Sequence, residues 1–330
     1  MTSPSSPRWG ILGPGGIARA FTSDLRTAGL DVAAVGSRRL ATAEAFAADF
    51  GIPHAHGSYQ ELVADPDVDI VYIATPHPMH AANALLALEA GKHVLVEKAF
   101  TLNAAEAVAV RDVAAERGLL AMEAMWTRYL PHMVRIRELV ESGALGEVRA
   151  VTADHTQRLP SDPAHRINAL ELGGGALLDL GVYPVSLAWD ILGEPLSIAA
   201  AARIGDAGSD TEVATIMTHT SGALSTSISA SRGAGPNTAA IIGTDARIDI
   251  DSVWYSATSF RLVGPGGAVL EEFHSDIEGR GMQYQALAAE RYLAEGRTDS
   301  DVLPIDETVG IMATLDEIRD LVGVRYPGEE

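Results

Sequence analysis

Three short stretches of this 330-residue chain set reactive residue types at spacings that could do chemistry. In "HVLVEKAFTL", residues 93–102, the apolar run Val94–Val96 reads as a short buried strand, with an acid and a base, Glu97 and Lys98, at its end. A charge at the mouth of a buried strand is costly unless it has a partner or a task. In "LGGGALLDLGVYPVSLAW", Gly173 to Gly175 lead into a helix carrying Asp179 and Tyr183. These two are four residues apart and share a helix face. An acid and a phenol on one face can form a buried structural pair, or can hold a hydroxylated substrate and move a proton. Pro184, directly after Tyr183, predicts a weakened or kinked helix at that point.

The third stretch is "WGILGPGGIARAF", which holds Gly13-Pro14-Gly15-Gly16-Ile17-Ala18 between a strand pattern and a helix pattern. In that setting G-x-G-x-x-A is a dinucleotide fingerprint. Gly13 allows the tight turn, Gly15 lets the backbone approach a pyrophosphate, and Ala18 lets the helix pack closely on the strand. The first N–H groups of the helix, from Gly16 and Ile17 onward, face the anion. An NAD site expects an acid about 20 residues on, at the end of the next strand. Here that strand ends in Ser37, Arg38 and Arg39. A guanidinium matches a 2′-phosphate, so the pair favours NADP(H) over NAD(H), although either arginine could be a solvated loop charge.

These residues need a scaffold that brings strand ends together. Through about residue 125, apolar strands (9–12, 31–35, 69–74, 93–96, 119–122) alternate with helices (16–28, 41–50, 58–63, 79–89, 103–117). That order predicts a parallel sheet covered on both faces. Ligands of such a sheet sit outside the carboxyl ends of its strands. Thr75, Pro76, His77, His80, Glu97, Lys98, Trp126 and Arg128 are therefore expected on one edge with the glycine turn, as cofactor contacts. His77 and His80 have a spacing metals can use, but no carboxylate accompanies them and two prolines flank His77. Cofactor contact or helix capping is the expected role, with no metal. After Arg128 the pattern changes to strand-like runs between residues 196 and 273, preceded by helices at 130–141 and 176–192 and followed by helices at 282–295 and 308–321. The fold class is thus α/β: a dinucleotide-binding domain over 1–125, with 1–7 as a disordered tail, and a mixed or antiparallel α+β domain over 126–330.

Composition narrows the function. A formal charge of −20 disfavours nucleic acid and anionic membranes, which reward a basic face. The chain has no cysteine, so it has no thiol chemistry or disulfides. No apolar run approaches the roughly 18 residues of a membrane span, and the first residues lack the apolar segment of a signal peptide. A cytoplasmic protein is expected.

Taken together, "ILGPGGIA", "YIATPHPMH", "AGKHVLVEKA" and "GGGALLDLGVYP" resemble the Gfo/Idh/MocA oxidoreductases over nearly the whole chain. "MEAMWTRYLP", with Tyr183 where many relatives carry histidine, resembles the branch of dihydrodiol dehydrogenases, glucose–fructose oxidoreductases and NADP-dependent xylose dehydrogenases. The resemblance implies a Rossmann domain followed by a domain with a largely antiparallel, open-faced sheet. Members often form dimers or tetramers through that sheet. It also implies reversible hydride transfer between a nicotinamide and a secondary alcohol of a sugar, cyclic polyol or dihydrodiol. Lys98, Asp179 and Tyr183 match the family's catalytic positions. Chemically, Tyr183 can donate or accept the alcohol proton, Lys98 can lower the phenol's pKa or serve as the base itself, and Asp179 can orient the hydroxyl. Arg166 and Asn168, in "PAHRIN", match a stretch near the substrate. The family usually reads E-K-P, and this chain has Ala99 in the third place. The alternatives are an NAD-preferring inositol-type polyol dehydrogenase and a non-catalytic nucleotide sensor, since fold alone does not fix function.

Overall fold

The computed structural model describes residues 6–329, so residues 1–5 of the expected tail lie outside it. The chain divides into two compact units. One runs to Trp126 and takes back Glu278–Val309; the other holds Thr127–Ile277 and the residues from Gly310 onward.

The first unit begins with β1 (Trp9–Leu12), α1 (Gly16–Thr27), β2 (Val32–Gly36), α2 (Leu40–Phe50), β3 (His54–His56) and α3 (Tyr59–Ala64). It continues through β4 (Ile70–Ile73), α4 (His80–Glu89), β5 (His93–Glu97), α5 (Ala104–Arg117) and β6 (Ala121–Ala124). The strands pair in the order β3-β2-β1-β4-β5-β6, all parallel. Every residue of β1, β2, β4 and β6 is buried, which is why these strands read as continuous apolar runs. β1 lies between β2 and β4, so the chain leaves it in opposite directions and opens a crevice at its carboxyl end. Phe21 of α1 stacks on Tyr72 of β4 at 3.8 Å and meets the edge of Trp9 at 5.5 Å, locking the first helix to the sheet centre.

The sequence pattern misses β3, whose three residues include two histidines and no apolar alternation. It also ends the last strand two residues early, because Glu123 looks like a surface residue and is in fact buried inside β6.

The second unit contains α6 (Pro131–Glu141), β7 (Val148–Thr156), α7 (Val182–Leu192), β8 (Pro195–Ile204), β9 (Asp210–His219), β10 (Leu224–Ala230) and β11 (Ala239–Gly243). β12 (Arg247–Ile250), β13 (Phe260–Val263) and β14 (Val269–Phe273) complete its sheet. The order is β14-β13-β12-β11-β7-β10-β9-β8, and only β7 and β10 run parallel. α7 packs against β7 and β10 on one face. On the other, Ile216, Leu224, Ile228 and Ile242 are exposed, and the strand registers place them on the same side. The 23 residues Leu170–Leu192 are apolar enough in length and composition to cross a membrane, but 78% of the most apolar window is buried inside the structure, so this is a core segment. Before Val182 the helix opens into a wide turn, Leu177–Gly181, instead of continuing as a regular α-helix. The turn lies next to Pro184, which has no N–H to give and would clash with a carbonyl one turn back.

Two last helices, α8 (Gln283–Ala294) and α9 (Ile305–Val322), follow. Residues 278–309 read from sequence as part of the second half, yet they cluster with the first unit. The cause is long-range: the buried carboxylate of Asp24 in α1 accepts the N–H groups of Arg280 at 3.1 Å and Met282 at 2.8 Å, and Trp9 Nε1 donates to Glu290 at 2.9 Å.

Arg128 belongs to the second unit, where its fully buried guanidinium pairs with Asp190 at 2.8 Å and donates to Ser186 Oγ at 2.9 Å and Ser186 O at 2.7 Å. Arg137 keeps a second contact to Asp190 at 3.1 Å. Removing one partner of a buried pair costs about 3–5 kcal/mol. Arg128→Leu is therefore expected to lower stability to urea by about 3 kcal/mol, the low end of that range, because Arg137 remains. An unchanged unfolding midpoint would contradict this role.

Candidate functional site

In the first unit the carboxyl edge of the parallel sheet gathers most of the residues expected there. Gly13 has φ +89°, and a side chain on it would stand 3.1 Å from Thr75 Cγ2 and 3.3 Å from the carbonyl carbon of Ala74. Only glycine permits this turn at the end of β1. Cβ atoms added to Gly15 and Gly16 would meet nothing within 4 Å, and the N-cap residue of α1, Gly15, has no side chain to cap it. An exposed, uncapped helix start lined by glycine fits a pyrophosphate. At the end of β2, Ser37 is buried while Arg38 and Arg39 are exposed, and the Arg39 N–H meets Ser37 Oγ at 3.4 Å. Tyr59, which the sequence reading did not single out, lies beside Arg38; burial raises its phenol pKa and the Arg38 charge opposes that.

Lys98 follows directly from β5, and its backbone is held on several sides. Its N–H donates to Glu97 Oε2 at 3.1 Å, and the other oxygen of Glu97 accepts the hydroxyl of Tyr72. The carbonyl of Lys98 lies 3.3 Å from His77 Nε2. His80 Nδ1 meets the carbonyl of Ala99 at 2.9 Å, and its Nε2 meets the carbonyl of Thr75 at 2.7 Å. His80 is completely buried, and burial lowers its pKa, with the Lys98 charge acting in the same direction. The bond between Lys98 and Ala99 is cis. The prolines around His77 do not disrupt the local fold: His77–Met79 form one tight turn that runs straight into α4. Both histidines bond to carbonyls that tie the ends of β4 and β5 together. Pro76 is exposed at this edge, and Trp126 is buried with the Arg280 guanidinium 5.9 Å from its ring.

The second unit carries the acid and the phenol. Asp179 lies in the wide turn and Tyr183 in the first turn of α7, and both are buried. The exposed Arg166 sets its guanidinium against both oxygens of Asp179, at 3.3 and 3.4 Å. Asn168 donates to the carbonyls of Pro160 and Asp162 and accepts from Arg232 at 2.8 Å, so its amide holds the 160–168 loop closed. The sequence reading missed two aromatic neighbours of Tyr183. His155 of β7 lies 5.0 Å from the Tyr183 ring, and Tyr255 lies 5.4 Å from it and stacks on His155 at 3.7 Å. Gln157 bonds to both, at 2.9 and 3.4 Å. Burial raises the Tyr255 phenol, and Tyr183 adds to the effect.

Away from these residues, His54 Nδ1 and His56 Nε2 both lie on Asp65 Oδ2, at 2.7 and 2.8 Å. All three ligand atoms fall within 4.8 Å, a grouping that could hold a metal ion, and hydrogen bonding to one carboxylate oxygen also accounts for it. Burial would raise the Asp65 carboxyl, but the Asp67 N–H, His56 and His54 outweigh it and bring it down to about 2.

Residues 7–125 match the GFO_IDH_MocA profile, "Oxidoreductase family, NAD-binding Rossmann fold", and residues 133–249 match the GFO/IDH/MocA C-terminal domain. The chain is 36% identical to trans-1,2-dihydrobenzene-1,2-diol dehydrogenase of Mus musculus over 98% of this chain and 99% of that one. It is 35% identical to D-xylose 1-dehydrogenase (NADP(+)) of Hypocrea jecorina, over 98% and 94%. Among solved structures, a 3-ketoreductase from Actinomadura kijaniata in complex with NADP and TDP-benzene aligns with a TM-score of 0.85 at 28% identity, over 96% of this chain and 98% of that one. That enzyme has also been solved as a lysine-to-alanine and a tyrosine-to-phenylalanine variant.

The Asp65 cluster makes a pH prediction. A carboxyl held at about 2 in the folded chain, against about 3.9 unfolded, contributes stability above the higher value and loses it as pH falls through the lower one. The stability difference between the wild type and Asp65→Asn is expected to be small near pH 2 and full-sized above about pH 4. Urea unfolding across that range checks it, and a difference independent of pH would contradict the assignment.

Proposed function

The chain belongs to the GFO/IDH/MocA oxidoreductase family, and on that premise we propose an NADP-dependent dehydrogenase or reductase acting on a CH–OH group of a sugar, cyclic polyol or dihydrodiol. The observation that carries the reading is the edge of the first unit. There the uncapped glycine turn, the Arg38–Arg39 pair and a firmly held Lys98 follow three strands of one parallel sheet. The 2′-phosphate preference rests on Arg38 and Arg39 standing where an NAD site would carry an acid. The substrate class rests on the named dehydrogenases that the chain resembles and on Tyr183, which disfavours the inositol-type reading.

When bound, NADP would supply the hydride acceptor of an alcohol oxidation, and the alcohol proton is left to the protein. In the proposed reaction Tyr183 exchanges that proton with the substrate oxygen, and Lys98 draws it off or returns it. Asp179, with Arg166 at its carboxylate, would accept a hydrogen bond from the substrate hydroxyl and fix its orientation. Backbone N–H groups at the start of α1 would hold the pyrophosphate, and the Arg38 and Arg39 guanidiniums the 2′-phosphate. For assembly, we assign a homodimer or homotetramer to the open sheet face bearing Ile216, Leu224, Ile228 and Ile242, an apolar surface in a chain of net charge −20.

Two measurements test the reading. Lys98→Met should lower kcat by about 10²–10⁴-fold while NADPH binding, followed by its fluorescence, stays near wild type. Turnover at the wild-type rate would overturn the assignment. The double variant Arg38→Ala/Arg39→Ala should raise KM for NADP by about 10- to 100-fold and leave KM for NAD nearly unchanged. Equal losses for both cofactors would contradict the 2′-phosphate role.

A further inference from the structure

Asp210 is a buried acid to which neither the sequence pattern nor the proposed chemistry gives a task. It opens β9, and its side chain points at the start of the segment that carries Asp179 and Tyr183. Its Oδ2 accepts the N–H of Leu177 at 2.7 Å. Gly175, with φ +142°, passes so close that a side chain there would stand 2.4 Å from Asp210 Oδ1. Around this contact the turn is fixed from other directions. Gly175 N–H donates to the Ile167 carbonyl at 2.9 Å, Tyr326 Oη donates to the Gly174 carbonyl at 3.2 Å, and Ser209 Oγ donates to the Asn168 carbonyl at 2.8 Å. The Asp179 N–H in turn donates to the Gly175 carbonyl at 3.3 Å. Oδ1 of Asp210 is buried and has no hydrogen-bond partner among the described residues, which is a costly way to hold a carboxyl.

No side chain caps the wide turn at its own Ncap position, Ala176. The first N–H groups of a helix need acceptors, and an acid there also complements the helix dipole. We propose that Asp210 is a positioning residue of the active site: it anchors the first turn of the Leu177–Leu192 segment and so fixes where Asp179 and Tyr183 stand. Glycine at 175 is required because any larger residue would displace the carboxyl. The inference rests on the assignment of Asp179 and Tyr183 to the proton and hydroxyl steps.

Burial raises the Asp210 carboxyl to about 6, against the N–H groups of Leu177, Asp210 and Ala176 and the Arg319 charge. The other groups facing this region are Tyr326, whose phenol burial pushes far up, and Asp316 and Glu329, which pair with Arg319. Above about 6 the carboxyl is ionised and bonds the Leu177 N–H more strongly; below it the anchor weakens.

The test uses the full-length protein with Asp210→Ala and Asp210→Asn. In Asp210→Ala, amide hydrogen exchange over residues 177–183 should accelerate while β7 stays protected. At a temperature well below unfolding, kcat should fall about 10- to 100-fold, with the NADPH dissociation constant unchanged. Asp210→Asn keeps an acceptor oxygen. It should stay within about threefold of wild type at pH 8 and lack the acid limb near pH 6 expected in the wild-type kcat profile. Unchanged exchange over 177–183 in Asp210→Ala overturns the proposal whatever the activity. So does faster exchange with wild-type kcat and KM. If the wild type turns over no substrate, the functional reading falls, and exchange alone decides whether Asp210 anchors the segment.

Discussion

The lysine at the end of β5 depends on one buried carboxyl. Glu97 takes the hydroxyl of Tyr72 on one oxygen and the N–H of Lys98 on the other. Tyr72 is itself fixed by its stack on Phe21, which binds α1 to the sheet. The glycine turn at the head of α1 and the lysine at the end of β5 are thus held to one rigid core. The two histidines complete the arrangement from the side of β4, with ring nitrogens on the carbonyls of Thr75, Lys98 and Ala99. A lysine can stand at the mouth of this buried strand with its backbone fastened by the interior. Preorganisation of this kind is what positioning catalysis requires.

The second unit uses the same device. A buried acid from a distant strand holds a backbone N–H at the start of the segment that bears Asp179 and Tyr183. In both units the candidate residues sit just beyond a strand end, in a wide turn or in a first helical turn, and a buried carboxyl fixes the main chain beside them. The wide turn Leu177–Gly181 also breaks the regular helical register just ahead of Tyr183.

What the sequence shows clearly is what is local. The G-x-G-x-x-A turn, the arginines that replace an acid after β2, the E-K pair and the alternation of strand and helix each lie within a few residues, and the family resemblance rests on them. The fold class and the family follow from that level. What it hides is non-local. His155 and Tyr255 are 100 residues apart and meet only because β7 is a central strand of the second sheet. Asp210 looks like an ordinary polar strand start until Gly175 and Leu177 are brought to it. Residues 278–309 join the first unit through Asp24 and Trp9, contacts with no local signature. Arg128 reads as a charge at a strand end, and only the fold reveals Asp190 and Ser186 around it. Asn168 likewise spends its amide on its own loop.

The central claim is that this chain moves a hydride between a secondary alcohol and a nicotinamide carrying a 2′-phosphate. The direct measurement is isotopic: the wild-type protein with NADP and a panel of sugars, cyclic polyols and dihydrodiols deuterated at the carbinol carbon, with the reduced cofactor analysed by mass spectrometry. The account predicts that at least one substrate transfers its deuterium to the nicotinamide ring of NADPH, more efficiently than with NAD. Tight NADP binding with no label transferred from any member of the panel would contradict it.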